Sequence, residues 1–213
     1  MVIEVKICGI TDDDAMEAAM EAGADYIGLV FYPPSPRAVT PEHAAELVEF
    51  TPGEVTKVGL FVDPDDATLD RVLTRVRLDL LQLHGSESPE RIEAIRLEYG
   101  LPVMKVVPVA GLADLAAADP FLAVCDRLLF DAKPPKGATL PGGNAVSFDW
   151  TVLAGLRWGL PWMLAGGLTP ANVAEAIRIS GATAVDVSSG VESAPGVKDP
   201  ALIRAFIKAA KGE

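Results

Sequence analysis

The stretch "PWMLAGGLTPANVAEAIRISGATAVDVSSG" (161–190) shows the pattern that decides the fold. It begins with a short apolar run, which is typical of a buried strand. Thr169 and Pro170 then fit the cap and the first residue of a helix, and Gly181 fits the end of that helix. A second apolar, β-branched run follows directly. A strand, a helix and a strand in this order predict two parallel strands joined by a helical crossover.

The same alternation continues through all 213 residues. Strands are predicted at 2–8, 26–31, 56–62, 78–84, 102–107, 127–132, 161–166 and 182–189. Helices are predicted at 12–22, 41–50, 65–76, 88–99, 111–118, 148–157, 170–180 and 199–211. Eight repeats in a chain of this length favour an α/β protein with a single domain over 1–213, folded as a (β/α)8 TIM barrel. A doubly wound open sheet is the alternative; the even number of repeats and the uniform composition favour the barrel.

Composition and charge exclude several classes of function. The formal net charge of −12 argues against nucleic acid and against anionic membrane surfaces, since both require a basic face. No run of about eighteen apolar residues is present, so a membrane-spanning segment is not expected. The opening "MVIEVKICG" enters a strand pattern at once, unlike a signal peptide. The two cysteines form no disulfide framework and the two histidines no ligand cluster, which predicts a cytoplasmic protein without a metal site.

Alternation along the predicted strands assigns the side chains that point into the barrel. In the first strand Val5 and Ile7 suit the helix-facing side, so the residues between and after them point inward. The same reasoning, applied to every strand, predicts that the following side chains point into the barrel: Glu4, Lys6, Cys8, Gln82, His84, Lys105, Leu129, Asp131, Asp186 and Ser188. A polar layer of mutually paired charges inside the barrel explains Glu4, Lys6, Lys105 and Asp186 without any catalytic role.

Cys8 and Asp131 differ from the others because each is the last inward residue of its strand. Active sites of such barrels lie at the carboxyl ends of the strands, so this pair is the candidate catalytic pair. A free cysteine is more often a small buried hydrophobe than a catalyst, and only the position of Cys8 favours catalysis. Cys125 precedes its strand, at the opposite end of the barrel, and is interpreted as structural.

Two loops rich in small residues are the candidate anion site. Gly166 and Gly167 lie at the end of the seventh predicted strand, and Ser188, Ser189 and Gly190 lie at the end of the eighth. Loops after these two strands commonly grip phosphate in this fold, through backbone N–H groups and a short extra helix. The alternative interpretation is that these residues only make tight turns.

Two further loops stand out. "FYPPSPRAVT" (31–40) presents Arg37 from a proline-stiffened loop, where it suits bidentate binding of a carboxylate, although an ordinary solvated arginine is the favoured interpretation from the residues alone. The segment 131–150 is the longest stretch without periodicity, and a loop of that length in a compact domain is usually functional.

Eight segments, in this order and spacing, resemble the phosphoribosylanthranilate isomerase family of tryptophan biosynthesis. They are "KICGIT", "GADYIGLVFYPPSPRAVT", "KVGLFV", "LLQLHGSE", "LLFDAK", "FDW", "LAGGLTPANV" and "VDVSSGVESAPGVKD". One departure is "GGNAVSFDW", since the family often has a pattern such as GGTG before "FDW". The resemblance implies a (β/α)8 barrel without a cofactor that performs an Amadori rearrangement of N-(5-phosphoribosyl)anthranilate.

The resemblance also implies a role for each candidate residue. Cys8 corresponds to the general base, Asp131 to the general acid, and Arg37 to the group that binds the anthranilate carboxylate. The glycines and serines of the two small-residue loops would cradle the phosphate. A free thiol has a pKa of about 8.5, so Cys8 needs an environment that stabilises its thiolate, to which inward Lys6 can contribute.

Three alternatives remain open at this point. The sugar isomerase of histidine biosynthesis performs the same rearrangement, but has an aspartate where this chain has Cys8. A lyase barrel that makes indole needs an active-site lysine as acid and a longer N-terminus, and neither is apparent. A non-catalytic barrel that binds a phosphometabolite would need neither Cys8 nor Asp131. The residues are compatible with either a monomer or a homodimer that takes a small phosphosugar substrate.

Overall fold

Eight parallel strands of the computed structural model close into a barrel in chain order, and the pairing of the first strand with the eighth completes the ring. The structure describes residues 2–49, 51–135, 137–138 and 140–212. The barrel strands are β1 (Glu4–Cys8), β2 (Tyr26–Val30), β3 (Thr56–Phe61), β4 (Leu80–Leu83), β5 (Val103–Val109), β6 (Arg127–Ala132), β7 (Trp162–Leu164) and β8 (Ala184–Val187). The predicted TIM barrel is confirmed, and the open-sheet alternative is wrong because the edge strands pair with each other.

Helices cover the outside of the barrel. The α-helices are α1 (Asp13–Glu21), α2 (Pro41–Val48), α3 (Asp66–Leu73), α4 (Pro89–Tyr99), α5 (Val173–Ser180) and α6 (Pro200–Lys211). The helices predicted at 111–118 and 148–157 are instead 3₁₀ helices, Leu112–Phe121 and Trp150–Leu153. The first contains Pro120, which has no N–H group to donate and disfavours a regular α-helix. A short hairpin, β9 (Glu192–Ala194) and β10 (Val197–Lys198), precedes α6.

The caps confirm some of the predicted helix starts and correct one. Thr40 and Ser88 accept hydrogen bonds from the first turns of α2 and α4, whose first residues are prolines. The helix predicted from Pro170 begins three residues later, at Val173. Asn172 explains the delay, since its side chain accepts from Thr169 N at 2.7 Å and donates to Gly167 O at 3.0 Å. The residues before α5 therefore form a turn that shapes the loop after β7.

The barrel interior has an apolar layer and a polar layer. Interior residues in or next to seven of the eight strands form the apolar layer: Tyr26, Val58, Leu80, Met104, Val106, Leu129, Met163, Ala165 and Ala184. Val5 and Ile7 belong instead to the core between strands and helices, as predicted. Lys6 is fully buried in the interior and its Nζ contacts Asp186 Oδ1 at 2.8 Å. This pair confirms the polar layer for these two residues.

The prediction that Lys105 points inward is wrong. Its neighbours Met104 and Val106 lie in the interior layer, so Lys105 faces the helices. The register agrees, because Lys105 pairs with Leu128, which is also helix-facing. On that side Lys105 Nζ donates to Glu87 Oε2 and to Gly85 O, each at 2.6 Å. The buried lysine therefore supports the loop after β4 and is not part of the interior.

Candidate active site

A pocket opens at the carboxyl ends of the barrel strands, where the sequence places the active site. It is lined by every candidate residue, namely Cys8, Arg37, Asp131, Gly166, Gly167, Ser188, Ser189 and Gly190. Barrel closure is what joins them, since they lie at the ends of five different strands or in the loops that follow. The long loop after β6 also lines this pocket, from Leu140 to Val146.

Cys8 ends β1 and lies against an apolar wall made by Val30 and Leu60. Its thiol is free and buried. Gly28, its register partner on β2, makes room for the sulfur. A methyl group at Gly28 would lie 2.9 Å from Cys8 Sγ and 3.2 Å from Lys6 Nζ. The missing side chain at Gly28 therefore lets the thiol and the lysine ammonium approach each other inside the barrel.

Burial raises the pKa of the Cys8 thiol above its ordinary value. The ammonium groups of Lys6 and Lys198 oppose this effect, whereas the carboxylate of Asp186 adds to it. Burial also acts to lower the pKa of Lys6, but the Asp186 carboxylate and the Cys8 sulfur together outweigh it, so the pKa of Lys6 is raised. Lys6 therefore stays an ammonium ion beside the sulfur and stabilises the thiolate when it forms.

Asp131 reaches the pocket from the carboxyl half of β6. Its Oδ1 accepts a hydrogen bond from the Ala132 N–H at 2.8 Å, which fixes the carboxyl group. Its Oδ2 lies 3.5 Å from His84 Nε2. Within the described part of the chain this imidazole nitrogen has no hydrogen-bond partner, and the same is true of Gln82 Oε1. Both side chains line the pocket, so two buried polar atoms in or next to β4, His84 Nε2 and Gln82 Oε1, are available to a ligand.

The loop after β6 closes over this pair of residues. A methyl group at Gly142 would lie 2.6 Å from the His84 ring and 2.9 Å from Asp131 Oδ2. Only a residue without a side chain fits so close to both groups. The "GGNA" sequence of this loop differs from the family pattern. In it, Asn144 Nδ2 donates to Leu140 O at 3.2 Å, and Ala145 has a φ of 54°. The amide of Asn144 therefore stabilises the turn of this loop.

Arg37 is buried, with 8% of its side chain exposed, so the interpretation as a solvated arginine is wrong. Its Nε donates to Glu192 Oε1 at 2.7 Å and its Nη2 donates to Glu192 Oε2 at 2.8 Å. Its Nη1 lies on the other side, facing the loop after β6, because a methyl group at Gly143 would be 2.5 Å from it. The guanidinium is thus fixed on one edge and lines the pocket with the other.

The loops after β7 and β8 meet at the pocket. Gly166 and Gly167 both have left-handed φ values, 89° and 61°. Ser189–Val191 form the short helix that was predicted, of one 3₁₀ turn. The N–H groups of Gly167, Ser189 and Gly190 donate no hydrogen bond to the described residues. A side chain at Gly190 would overlap the carbonyl oxygen of Leu168, which shows how closely the two loops pack.

Sequence analysis missed three contributors to this site. Gly28 interrupts an otherwise apolar strand, and a glycine inside a strand is a recognised sign of close approach. Glu192 and Lys198 appear in the sequence as opposite charges around the "SAPG" turn, but nothing local connects them with Arg37.

Among the residues that the structure describes, no group of three or more His, Cys, Asp or Glu side chains forms a metal site. In the same part of the chain, no helix has the length and apolar character needed to cross a bilayer.

Fold and pocket together define the class of protein: a (β/α)8-barrel enzyme with a thiol, a carboxyl group and two loops of small residues around one pocket. The family model for N-(5'-phosphoribosyl)anthranilate (PRA) isomerase matches residues 5–209. The chain belongs to this family. It is therefore an isomerase of tryptophan biosynthesis.

Individual relatives agree with the family match. The N-(5'-phosphoribosyl)anthranilate isomerase of Paramagnetospirillum magneticum is 81% identical over 212 residues, covering 100% of this chain and 99% of the relative. A crystal structure of a phosphoribosylanthranilate isomerase in complex with reduced 1-(o-carboxyphenylamino)-1-deoxyribulose 5-phosphate is 36% identical, with a TM-score of 0.85 over the full length of both chains. A structure of monomers of the dimeric Thermotoga maritima enzyme is 37% identical, with a TM-score of 0.85 over both full lengths.

Proposed function

We propose that Asp131 and Cys8 perform the two proton transfers of the reaction that this isomerase catalyses. The reaction converts N-(5'-phosphoribosyl)anthranilate to 1-(2-carboxyphenylamino)-1-deoxyribulose 5-phosphate. The observation that carries the proposal is the placement of the thiol and the carboxyl group in one pocket at the strand ends.

Asp131 acts first, as the general acid. The C1′–O4′ bond of the ribose ring breaks while the amine nitrogen forms a double bond to C1′, and the leaving O4′ takes the proton of Asp131. The Ala132 N–H holds one carboxyl oxygen, which leaves Oδ2 to carry the proton beside His84.

Cys8 acts second, as the general base. Its thiolate removes the proton from C2′, and the electrons of that C–H bond form a C1′–C2′ double bond and neutralise the iminium nitrogen. The resulting enol then tautomerises to the ketone of the product. Lys6 supports the thiolate electrostatically, as its ammonium group lies beside the sulfur. The proposed steps require proton transfer only, so two side chains suffice.

The two charged ends of the substrate have separate proposed sites. The N–H groups of Gly167, Ser189 and Gly190, which donate to none of the described residues, suit the phosphate, since backbone donors bind anions without a basic side chain. The edge of Arg37 that faces away from Glu192 suits the anthranilate carboxylate. A non-catalytic phosphate-binding barrel would use the same loops, but it gives no reason for a thiol packed against a buried ammonium ion.

We expect Arg37→Ala to raise KM by about tenfold to 100-fold while kcat changes less, because a charge-assisted hydrogen bond to the substrate is lost. Steady-state kinetics with generated substrate, followed by the decay of anthranilate-type fluorescence, measures both constants. Arg127→Ala is the matched control, since Arg127 pairs with Glu4 at the other end of the barrel. An unchanged KM in Arg37→Ala removes Arg37 from the substrate site.

We expect Gly28→Ala to lower kcat by at least about tenfold, since the added methyl group displaces the Cys8 sulfur that must reach C2′. Gly59→Ala is the matched control. Gly59 lies on the neighbouring strand, and a methyl group there would crowd Leu78 and Phe61 in the outer core. We expect it to lower thermal stability and to leave kcat within about threefold of wild type. Equal kcat values in the two variants contradict the role of Gly28.

We further propose that the enzyme is cytoplasmic and is either a monomer or a homodimer. The two free cysteines support the location. Sedimentation velocity at several protein concentrations, combined with specific activity at each, tests whether dissociation changes activity.

A further inference from the structure

We propose that Glu192 is a positioning residue that makes the pocket selective for a carboxylated aromatic substrate, by holding the Arg37 guanidinium in place. The inference rests on the proposed role of Arg37 and deepens it. Glu192 itself has no assigned contact with the substrate.

The geometry of the pair is the first support. Glu192 begins the hairpin β9–β10, and both of its carboxylate oxygens accept from Arg37, at 2.7 and 2.8 Å. This fork fixes the plane of the guanidinium as well as its position. Nη1 is left without a part in the fork and lies beside Gly143 at the pocket. The carboxylate of Glu192 thus turns one edge of the arginine away from the substrate and the other edge toward it.

Burial and charge are the second support. The exposed fractions of the side chains are 8% for Arg37, 4% for Glu192 and 0% for Lys198. Lys198 Nζ donates to Glu192 Oε1 at 2.6 Å, so one carboxylate lies between two buried cations. The cluster carries one net positive charge, which an incoming carboxylate neutralises. Although burial acts to raise the pKa of Glu192, the two cations lower it, so the bridging carboxylate stays ionised.

Lys198 connects this cluster with the proposed phosphate loop. Its Nζ also contacts Ser188 O at 3.1 Å and Ser188 Oγ at 3.3 Å. Oε2 of Glu192 accepts in addition from Gly196 N at 3.3 Å, which ties it to the turn of the hairpin. The hairpin therefore sets the distance between the arginine and the loop after β8, that is, between the two sites for the charged ends of the substrate.

A positioning role and a merely structural role predict different ligand behaviour. If Glu192 only holds the hairpin in place, its removal weakens all ligands alike. If it aims Arg37, its removal weakens carboxylated ligands and spares those without the carboxyl group. The informative quantity is therefore a ratio of two dissociation constants for one enzyme variant.

The experiment uses two ligands, reduced 1-(o-carboxyphenylamino)-1-deoxyribulose 5-phosphate and the corresponding phenylamino compound without the carboxyl group. Competitive inhibition or calorimetry gives Kd for both with wild type, Glu192→Gln, Glu192→Asp and Arg37→Ala. We expect wild type to prefer the carboxylated ligand by at least about tenfold, and Arg37→Ala to have almost no preference. Glu192→Gln is expected to lose at least about fivefold of the preference, with Glu192→Asp in between.

The outcomes separate the two proposals. If Arg37→Ala keeps the preference, Arg37 does not bind the carboxylate, and both the proposed function of Arg37 and this inference fail. If Arg37→Ala loses the preference but Glu192→Gln keeps it, only the inference fails. If Glu192→Gln does not fold, Glu192→Asp is used as the test variant. The proposal is then overturned if the ratio of the two dissociation constants in Glu192→Asp equals that of wild type. Glu4→Gln is the matched control, because Glu4 pairs with Arg127 far from the pocket, and its ratio is expected to equal that of wild type.

Discussion

Cys8→Ser is expected to lower kcat by about 100-fold to 10,000-fold, the usual contribution of a general base. Serine is close to cysteine in size, so the packing against Val30 and Leu60 is kept. Its hydroxyl is a far weaker acid than the thiol and supplies almost no anion to remove the C2′ proton. Fluorescence decay with generated substrate measures the change. In this variant proton removal limits the rate, so a substrate with deuterium at C2′ is expected to show a clear isotope effect on kcat.

Cys125→Ser is the matched control for this variant. Cys125 is also a free, buried cysteine, but it precedes β6 and does not line the pocket. We expect it to cost some thermal stability and to leave kcat near the wild-type value. Near-full turnover in Cys8→Ser, with a folded enzyme, rules out Cys8 as the base.

The pH dependence of the wild-type enzyme follows from the same assignment. The thiolate is the reactive form, and it is populated above the pKa of the thiol, which burial raises. We therefore expect kcat/KM to increase with pH on the limb that Cys8 controls, and to be low where the thiol is protonated. A profile that is flat between about pH 6 and about pH 10 is incompatible with a buried thiol as the base.

Asp131→Asn is expected to lower kcat by a similar factor, about 100-fold to 10,000-fold, through loss of the general acid. The amide keeps the shape of the side chain and can still accept the hydrogen bond from the Ala132 N–H, but it has no proton of suitable acidity for O4′. Ring opening then limits the rate. Deuterium at C2′ is therefore expected to have almost no effect on kcat in this variant, in contrast to Cys8→Ser.

Asp126→Asn is the matched control, because Asp126 lies just before the same strand, at its other end. It pairs with Arg96 and accepts from Val103 N, so its loss is expected to lower stability with little change in kcat. Two results contradict the division of roles: near-wild-type kcat in Asp131→Asn, or equal isotope effects in the two catalytic variants.

Strand alternation explains why the catalytic candidates were found from sequence. Val5 and Ile7 define the outer face of β1, which leaves Cys8 inside and at the strand end. The same argument failed for Lys105, because "PVMKVV" is apolar on both faces and does not show which face is the interior. There the register with β6 decides the face. Periodicity is informative only where the two faces of a strand differ in polarity.

The Arg37 environment shows the limit of local patterns. A proline-stiffened loop indicated a rigid arginine, but its burial depends on Glu192, which is 155 residues away in the chain. The local sequence around Arg37 or around Glu192 does not predict that the two side chains form an ion pair. The contact exists because the loop after β2 and the hairpin after β8 lie near each other once β1 pairs with β8.

The sequence by itself determined the barrel and the strand ends that carry Cys8 and Asp131, because hydrophobic periodicity and helix caps act over a few residues. Only the tertiary structure decided which polar atoms meet. Closure of the barrel brought Gly28 beside Cys8 and Lys6, His84 beside Asp131, and Glu192 beside Arg37. Such pairings depend on distances between residues far apart in the chain, which packing fixes and local pattern does not.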